Sequence, residues 1–167
     1  MTPKGMSHVE LTVRDLERSL HFYRDLLGFH VAKEGTERDL AGDGEYQQYQ
    51  RGLFEQPDRP LRFAILHYGK ANRGPYGMGE GVPSIVLITP LQTPPTGTSI
   101  QIDQVGITHI GFWVDELDTL CKELTSKGVT LAASPHILVK TSTGTIRSAY
   151  VRDPDGIILQ FDELVRA

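Results

Sequence analysis

Ser7-His8-Val9-Glu10-Leu11-Thr12-Val13-Arg14-Asp15-Leu16 is met again 101 residues on, as Thr108-His109-Ile110-Gly111-Phe112-Trp113-Val114-Asp115-Glu116-Leu117. His8 maps onto His109, Val13 onto Val114 and Leu16 onto Leu117. Self-similarity at a fixed offset is the mark of a duplicated structural unit. Apolar residues at helical spacing follow each stretch: Leu16, Leu20, Tyr23, Leu26 and Leu27 in the first, Leu117, Leu120, Cys121 and Leu124 in the second. Each run ends at a glycine, Gly28 or Gly128, where a left-handed cap is cheap. β-type residues come next, Phe29-His30-Val31 and Val129-Thr130-Leu131. Both halves therefore begin strand, helix, strand.

The remainder of each half reads as strand. Leu61 to Tyr68 is mostly apolar, and Ser84 to Thr89 is a short β-branched run. Thr145 to Arg152 and Ile157 to Glu163 flank Asp153-Pro154-Asp155-Gly156, a strong turn signal, and predict a hairpin. The fold class expected is α+β, two tandem βαβββ modules. The first module spans 1–91, with insertions at 34–44 and 70–81. A Pro-rich linker occupies 92–104, the second module spans 105–167, and the two together form one structural domain. The 70–81 insertion, with four glycines and Pro75, predicts a mobile loop.

Composition narrows the function classes. The chain has 167 residues, 39% hydrophobic and 23% charged, enough to bury a core without staples. One cysteine, Cys121, excludes an internal disulfide and a zinc site built on several thiolates. The net charge is −4 and no basic run exceeds two residues, which argues against nucleic acid as a partner. No apolar stretch approaches the roughly 20 residues of a membrane span. The first residues lack the apolar core of a signal peptide. A cytoplasmic protein without membrane or nucleic-acid partners is expected.

Alternation assigns faces. Ile110, Phe112 and Val114 are the apolar set of their strand and pack under the helix, so His109, Gly111 and Trp113 face the other way. Likewise Val9, Leu11 and Val13 leave His8, Glu10 and Thr12 on the open face. On the last strand, Leu159 and Phe161 face the helix, and Gln160 and Asp162 face away from it.

This pattern resembles the vicinal oxygen chelate superfamily, which holds glyoxalase I, extradiol dioxygenases and the bleomycin-resistance proteins. The carrying residues are His8 to Val13, Asp15 to Gly28, His109 to Val114 and Arg152 to Gly156. The resemblance implies a curled mixed sheet around a cavity, a homodimer, and a divalent metal (Fe, Mn, Ni, Co or Zn) on equivalent strands. His8 and His109 stand at the ligand positions. Four residues after the turn glycine, where the family places a carboxylate, stands Gln160. An amide oxygen can ligate but brings no charge, so the two-His-one-carboxylate set for ferrous iron is weakened. Ser84-Ile85-Val86-Leu87-Ile88 offers no fourth ligand of the glyoxalase kind. The plain alternative is that both histidines belong to core hydrogen-bond networks around a metal-free cavity.

Further candidates follow. Arg147, placed opposite Asp162 across a tight turn, would anchor an acidic or enolate oxygen, or simply pair with Asp162. Glu10 is a candidate general base beside apolar walls, or else a solvated rim carboxylate. Trp113, Phe63, His67 and Asp162 are candidate substrate-pocket residues, and Tyr46, Tyr49 and Tyr76 candidate aromatic walls. His21, His30 and His136 receive no role, and Cys121 reads as inert core. The function expected is a small-molecule enzyme using a metal to chelate an oxygenated substrate, with dioxygenase, lyase or isomerase chemistry. The alternatives are a metal-free enzyme or a ligand-sequestering protein of the bleomycin-resistance kind.

Overall fold

Short alternating strands with one apolar face need a helix to cover that face, and both halves of the chain supply one. The computed structural model describes residues 2–39, 51, 53, 59–69 and 83–166. Those residues divide into two compact units, Met1–Thr96 and Gly97–Ala167. The expected linker, 92–104, straddles that division. The class is α+β, and each unit is a βαβββ module with a four-stranded mixed sheet.

In the first unit, β1 (His8–Thr12) half-buries Val9 and Leu11 and exposes His8, Glu10 and Thr12. Helix α1 (Leu16–Leu20) starts where the Asp15 carboxylate accepts the Arg18 N–H at 3.1 Å, satisfying one orphan amide of the first turn. Spacing predicts an unbroken α-helix to Leu27. Instead His21–Leu26 forms a π-type segment, in which the Leu27 N–H reaches the Phe22 carbonyl at 3.1 Å. The wider turn sends the neighbours Phe22 and Tyr23 both into the core, edge to face at 5.2 Å. Strands β2 (His30–Thr36), β3 (Leu61–His67) and β4 (Ser84–Pro90) complete the sheet, in the order β1-β4-β3-β2. Only β1 and β4 run parallel. Strand β2 continues through Glu34, Gly35 and Thr36, so the insertion expected from residue 34 begins later. The rest of that insertion past Asp39, the whole of 70–81, and Tyr46, Tyr49 and Tyr76 lie outside the described residues.

The second unit repeats the topology as β5 (His109–Trp113), α2 (Leu117–Ser126), β6 (Leu131–Thr141), β7 (Gly144–Arg152) and β8 (Ile158–Arg166). The order is β5-β8-β7-β6, with β5 parallel to β8. Helix α2 buries Leu117, Cys121 and Leu124 and is followed by Gly128 at φ 88°. Its buried face lies over β8 and β7, whose inward residues include Leu159, Phe161, Ala149 and Val151. Among the described residues no helix is long and apolar enough to cross a membrane.

The turn between β7 and β8 fixes the register of everything beyond it. The Asp153 N–H donates to the Ile157 carbonyl at 2.9 Å. Asp153 Oδ1 accepts the N–H groups of Asp155 and Ile157 at 2.9 and 2.8 Å. Gly156, at φ 89°, takes the left-handed position that ends the loop. Three residues, not two, therefore cap the hairpin, and Tyr150 lies opposite Gln160, Ser148 opposite Asp162 and Arg147 opposite Glu163. The pairing expected from sequence, Arg147 with Asp162, is off by one residue, and a one-residue slip exchanges the faces. Asp153→Ala is expected to cost about 1 to 2 kcal/mol of stability by stranding two half-buried amides, and Asp153→Asn less, as urea denaturation would measure.

Candidate functional site

Strands β5 and β8 bring four of the expected residues onto one face. In their register, His109 is beside Ile158, Gly111 beside Gln160, and Trp113 beside Asp162. Residues so paired point to the same side of the sheet. Tyr150 and Ser148 join that side from β7, and His136 joins it from β6 opposite Ser148. Gln160 is 7% exposed and Ser148 fully buried, whereas Trp113 is 68% exposed and His109 is open.

These side chains form a connected polar floor. The Gln160 amide nitrogen donates to Asp162 Oδ1 at 2.7 Å. The Ser148 hydroxyl donates to the same oxygen. Tyr150 stands edge-on to His109 at 6.3 Å and stacks on His136 at 5.9 Å. Its phenol is pushed up, first by burial and then by the negative charge of Asp162. His136 Nδ1 faces the Ser134 carbonyl at 2.9 Å, and a carbonyl only accepts, so Nδ1 carries the proton and Nε2 the free lone pair. His109 Nδ1 meets the Thr108 hydroxyl at 3.0 Å, which leaves Nε2 for the open face. Tyr150, Ser148 and His136 were missed by the sequence reading. Counting back from a three-residue Pro-Asp-Gly loop would have found the first two.

Arg147 is not part of this floor. It lies on the helix side with Glu163, bonded to Asp118 of α2 at 2.8 and 3.0 Å and to Glu163 at 3.0 Å. The guanidinium holds the Asp118 carboxyl below its usual range. It joins helix to sheet, on the face opposite the polar floor.

In the first unit, His8 repeats the bonding of His109: its Nδ1 meets the Ser7 hydroxyl at 2.9 Å. On the same face, Glu10 pairs with Val86 and Thr12 with Ile88. Val86 and Ile88 belong to an apolar cluster with Leu61, Phe63 and Ile65. Desolvation beside that cluster pushes the Glu10 carboxyl up, against the weaker opposing pull of His8. Phe63 is fully buried as a member of the cluster, and His67, the other substrate-pocket candidate of this unit, is buried as well. Ser84 Oγ, on the strand position beside His8, is buried without a hydrogen-bond partner.

Two βαβββ modules with matched histidines on their first strands can now be compared with known proteins. The family model described as Glyoxalase/Bleomycin resistance protein/Dioxygenase superfamily matches residues 5–161. The chain belongs to this superfamily. Solved structures share its fold at low identity. A glyoxalase family protein from Bacillus cereus superposes with a TM-score of 0.69 at 18% identity, over 96% of this chain and 93% of that one. A glyoxylase/bleomycin resistance protein/dioxygenase domain from Frankia gives 0.59 at 23%, over 99% and 100%. The trypanothione-dependent glyoxalase I of Leishmania major gives 0.58 at 19%, over 95% and 86%. No curated protein matches.

Superfamily membership makes a metal the natural question, and the donors give a qualified fit. Among the described residues no three His, Cys, Asp or Glu side chains gather as a metal nest. Within the second unit the donors on one face include the His109 and His136 imidazoles, the Gln160 amide oxygen and the Asp162 carboxylate. Imidazole and amide oxygen both suit a borderline divalent ion. Asp162 is held one bond behind Gln160, as carboxylates behind metal ligands commonly are.

Glu10 yields a signed pH dependence. Its carboxyl is raised in the folded protein, so stability falls as pH climbs from the ordinary carboxylate range through the raised value. Glu10→Gln is expected to be more stable than the parent at neutral pH and equal to it in acid. Urea midpoints at pH 3.5, 5.5 and 7.5 would check this.

Proposed function

We propose that the chain is a small-molecule enzyme of the glyoxalase/dioxygenase superfamily that binds a divalent metal, for which His109 and Gln160 on the second unit and His8 on the first are the ligand candidates. The observation that carries the reading is the buried Gln160 amide on the face that His109 shares, its nitrogen held by Asp162 and its oxygen without a hydrogen bond among the described residues. Such a metal would be iron, manganese, nickel, cobalt or zinc, and it would supply Lewis acidity to neighbouring substrate oxygens. On the first unit Glu10, its carboxyl held above the ordinary range by burial, is the candidate general base. Trp113 and Tyr150 supply ring surface against which a small substrate packs. The chemistry is of dioxygenase, lyase or isomerase type. We place the working form as a cytoplasmic homodimer. The exposed apolar side chains Ile137, Leu138, Val139, Leu164 and Val165 support an interface on the second unit, and the single, buried thiol of Cys121 suits a reducing compartment.

A second reading is favoured by one observation, the lack of a three-residue nest of metal-binding side chains among the described residues. In it the same polar floor binds its ligand without metal, in a metal-free enzyme or a sequestering protein. Elemental analysis of protein purified without chelator separates the two. Near-stoichiometric metal in the parent, reduced at least tenfold in His109→Ala, is the result expected from the first. A metal-free parent that takes up none of the five ions on titration overturns it in favour of the second.

A further inference from the structure

We infer that Asp162 is a positioning residue whose task is to aim the Gln160 carbonyl oxygen at the open face. The inference builds on the metal-binding reading of Gln160, but the orientation itself rests on bonds within one sheet.

An amide side chain can present either its oxygen or its nitrogen, and nothing in the residue itself chooses. Here the choice is made from behind. Asp162 follows Gln160 by two positions on β8, so both side chains rise from the same face. Asp162 Oδ1 accepts the Gln160 Nε2–H at 2.7 Å, and it accepts the Ser148 hydroxyl from the facing position of β7. Reversing the amide would set a carbonyl oxygen against a carboxylate oxygen, two acceptors with no proton between them. The nitrogen is therefore held on Asp162, and Oε1 makes no hydrogen bond among the described residues. Ser148 is fully buried and so cannot trade this bond for one to water. Next to the pair, a Cβ at Gly111 would meet Asp162 Oδ2 only at an ordinary van der Waals distance of 3.7 Å. Asp162 also sets a negative charge behind a neutral donor, which partly restores what the amide lacks relative to a carboxylate.

The test uses two readouts on the full chain. The first is the side-chain amide signal of Gln160 in the metal-free protein, by 15N–1H NMR. The parent is expected to show a shifted, slowly exchanging amide that moves to the free-glutamine position in Asp162→Ala. Asp162→Asn, which retains an acceptor, should fall between them, and backbone spectra report whether each variant is folded. The second is titration with Mn²⁺, Co²⁺ or Zn²⁺ alone, where Asp162→Ala is expected to bind about 10- to 100-fold more weakly. A freely exchanging Gln160 amide in the parent overturns the inference whatever the metal result. So does metal affinity unchanged in a folded Asp162→Ala. A held amide in a parent that binds no metal supports the orienting role and sinks only the metal reading of the site.

Discussion

The parallel ladder between the first and last strand of each module is the constraint on which the rest depends. Parallel neighbours cannot be joined by a hairpin, so the chain must cross over between them. The crossover here is a helix and two further strands, and the helix fills one face of the sheet. Once that face is filled, alternation decides the address of every other side chain. Phe112 and Phe161, side by side across β5 and β8, face the helix with ring centroids 6.0 Å apart. Their sequence neighbours Gly111, Trp113, Gln160 and Asp162 are thereby on the open side.

The duplication has kept the topology and divided the chemistry. The open face of the first sheet is an apolar cluster with His8 and Glu10 at one edge. That of the second is a hydrogen-bonded floor of Gln160, Asp162 and Ser148 with three stacked or edge-on rings beside it. An apolar surface raises a neighbouring carboxyl, and a polar network orients a neighbouring amide. The two units thus tune their candidate groups by different means. Arg147, a cation of the second unit's sheet, joins helix to strand through Asp118 and Glu163.

The repeat, the positions of the helices and the strand faces, including the face that carries His8, Glu10, His109 and Gln160, were legible because each rests on local periodicity. Legibility failed where one residue of chain length mattered. Reading Asp153 to Gly156 as a two-residue turn placed Arg147 on the wrong face and hid Tyr150 and Ser148. The bonds that Asp153 makes to Asp155 and Ile157 decide the loop length, and spacing alone does not report them. The π-type segment at His21–Leu26 escaped for a related reason: two adjacent aromatics entering one core need a wider turn than the apolar spacing implies. Strand β6 ran longer than Val129 to Leu131 suggested, because three register irregularities let a mostly exposed stretch stay paired to β7.

The hydroxyls beside the two repeat histidines have one more consequence. Ser7 and Thr108 can each give or take a hydrogen bond, and each turns about a single side-chain torsion to do so. The rings they touch are therefore amphoteric in place. A proton can sit on either nitrogen, and a rotation of one O–H bond follows it without any movement of the backbone. His136, tied to a carbonyl, has no such latitude. The duplicated segment has carried a small proton rotor into both halves of the chain, so that whatever meets Nε2 chooses the form of the imidazole it meets.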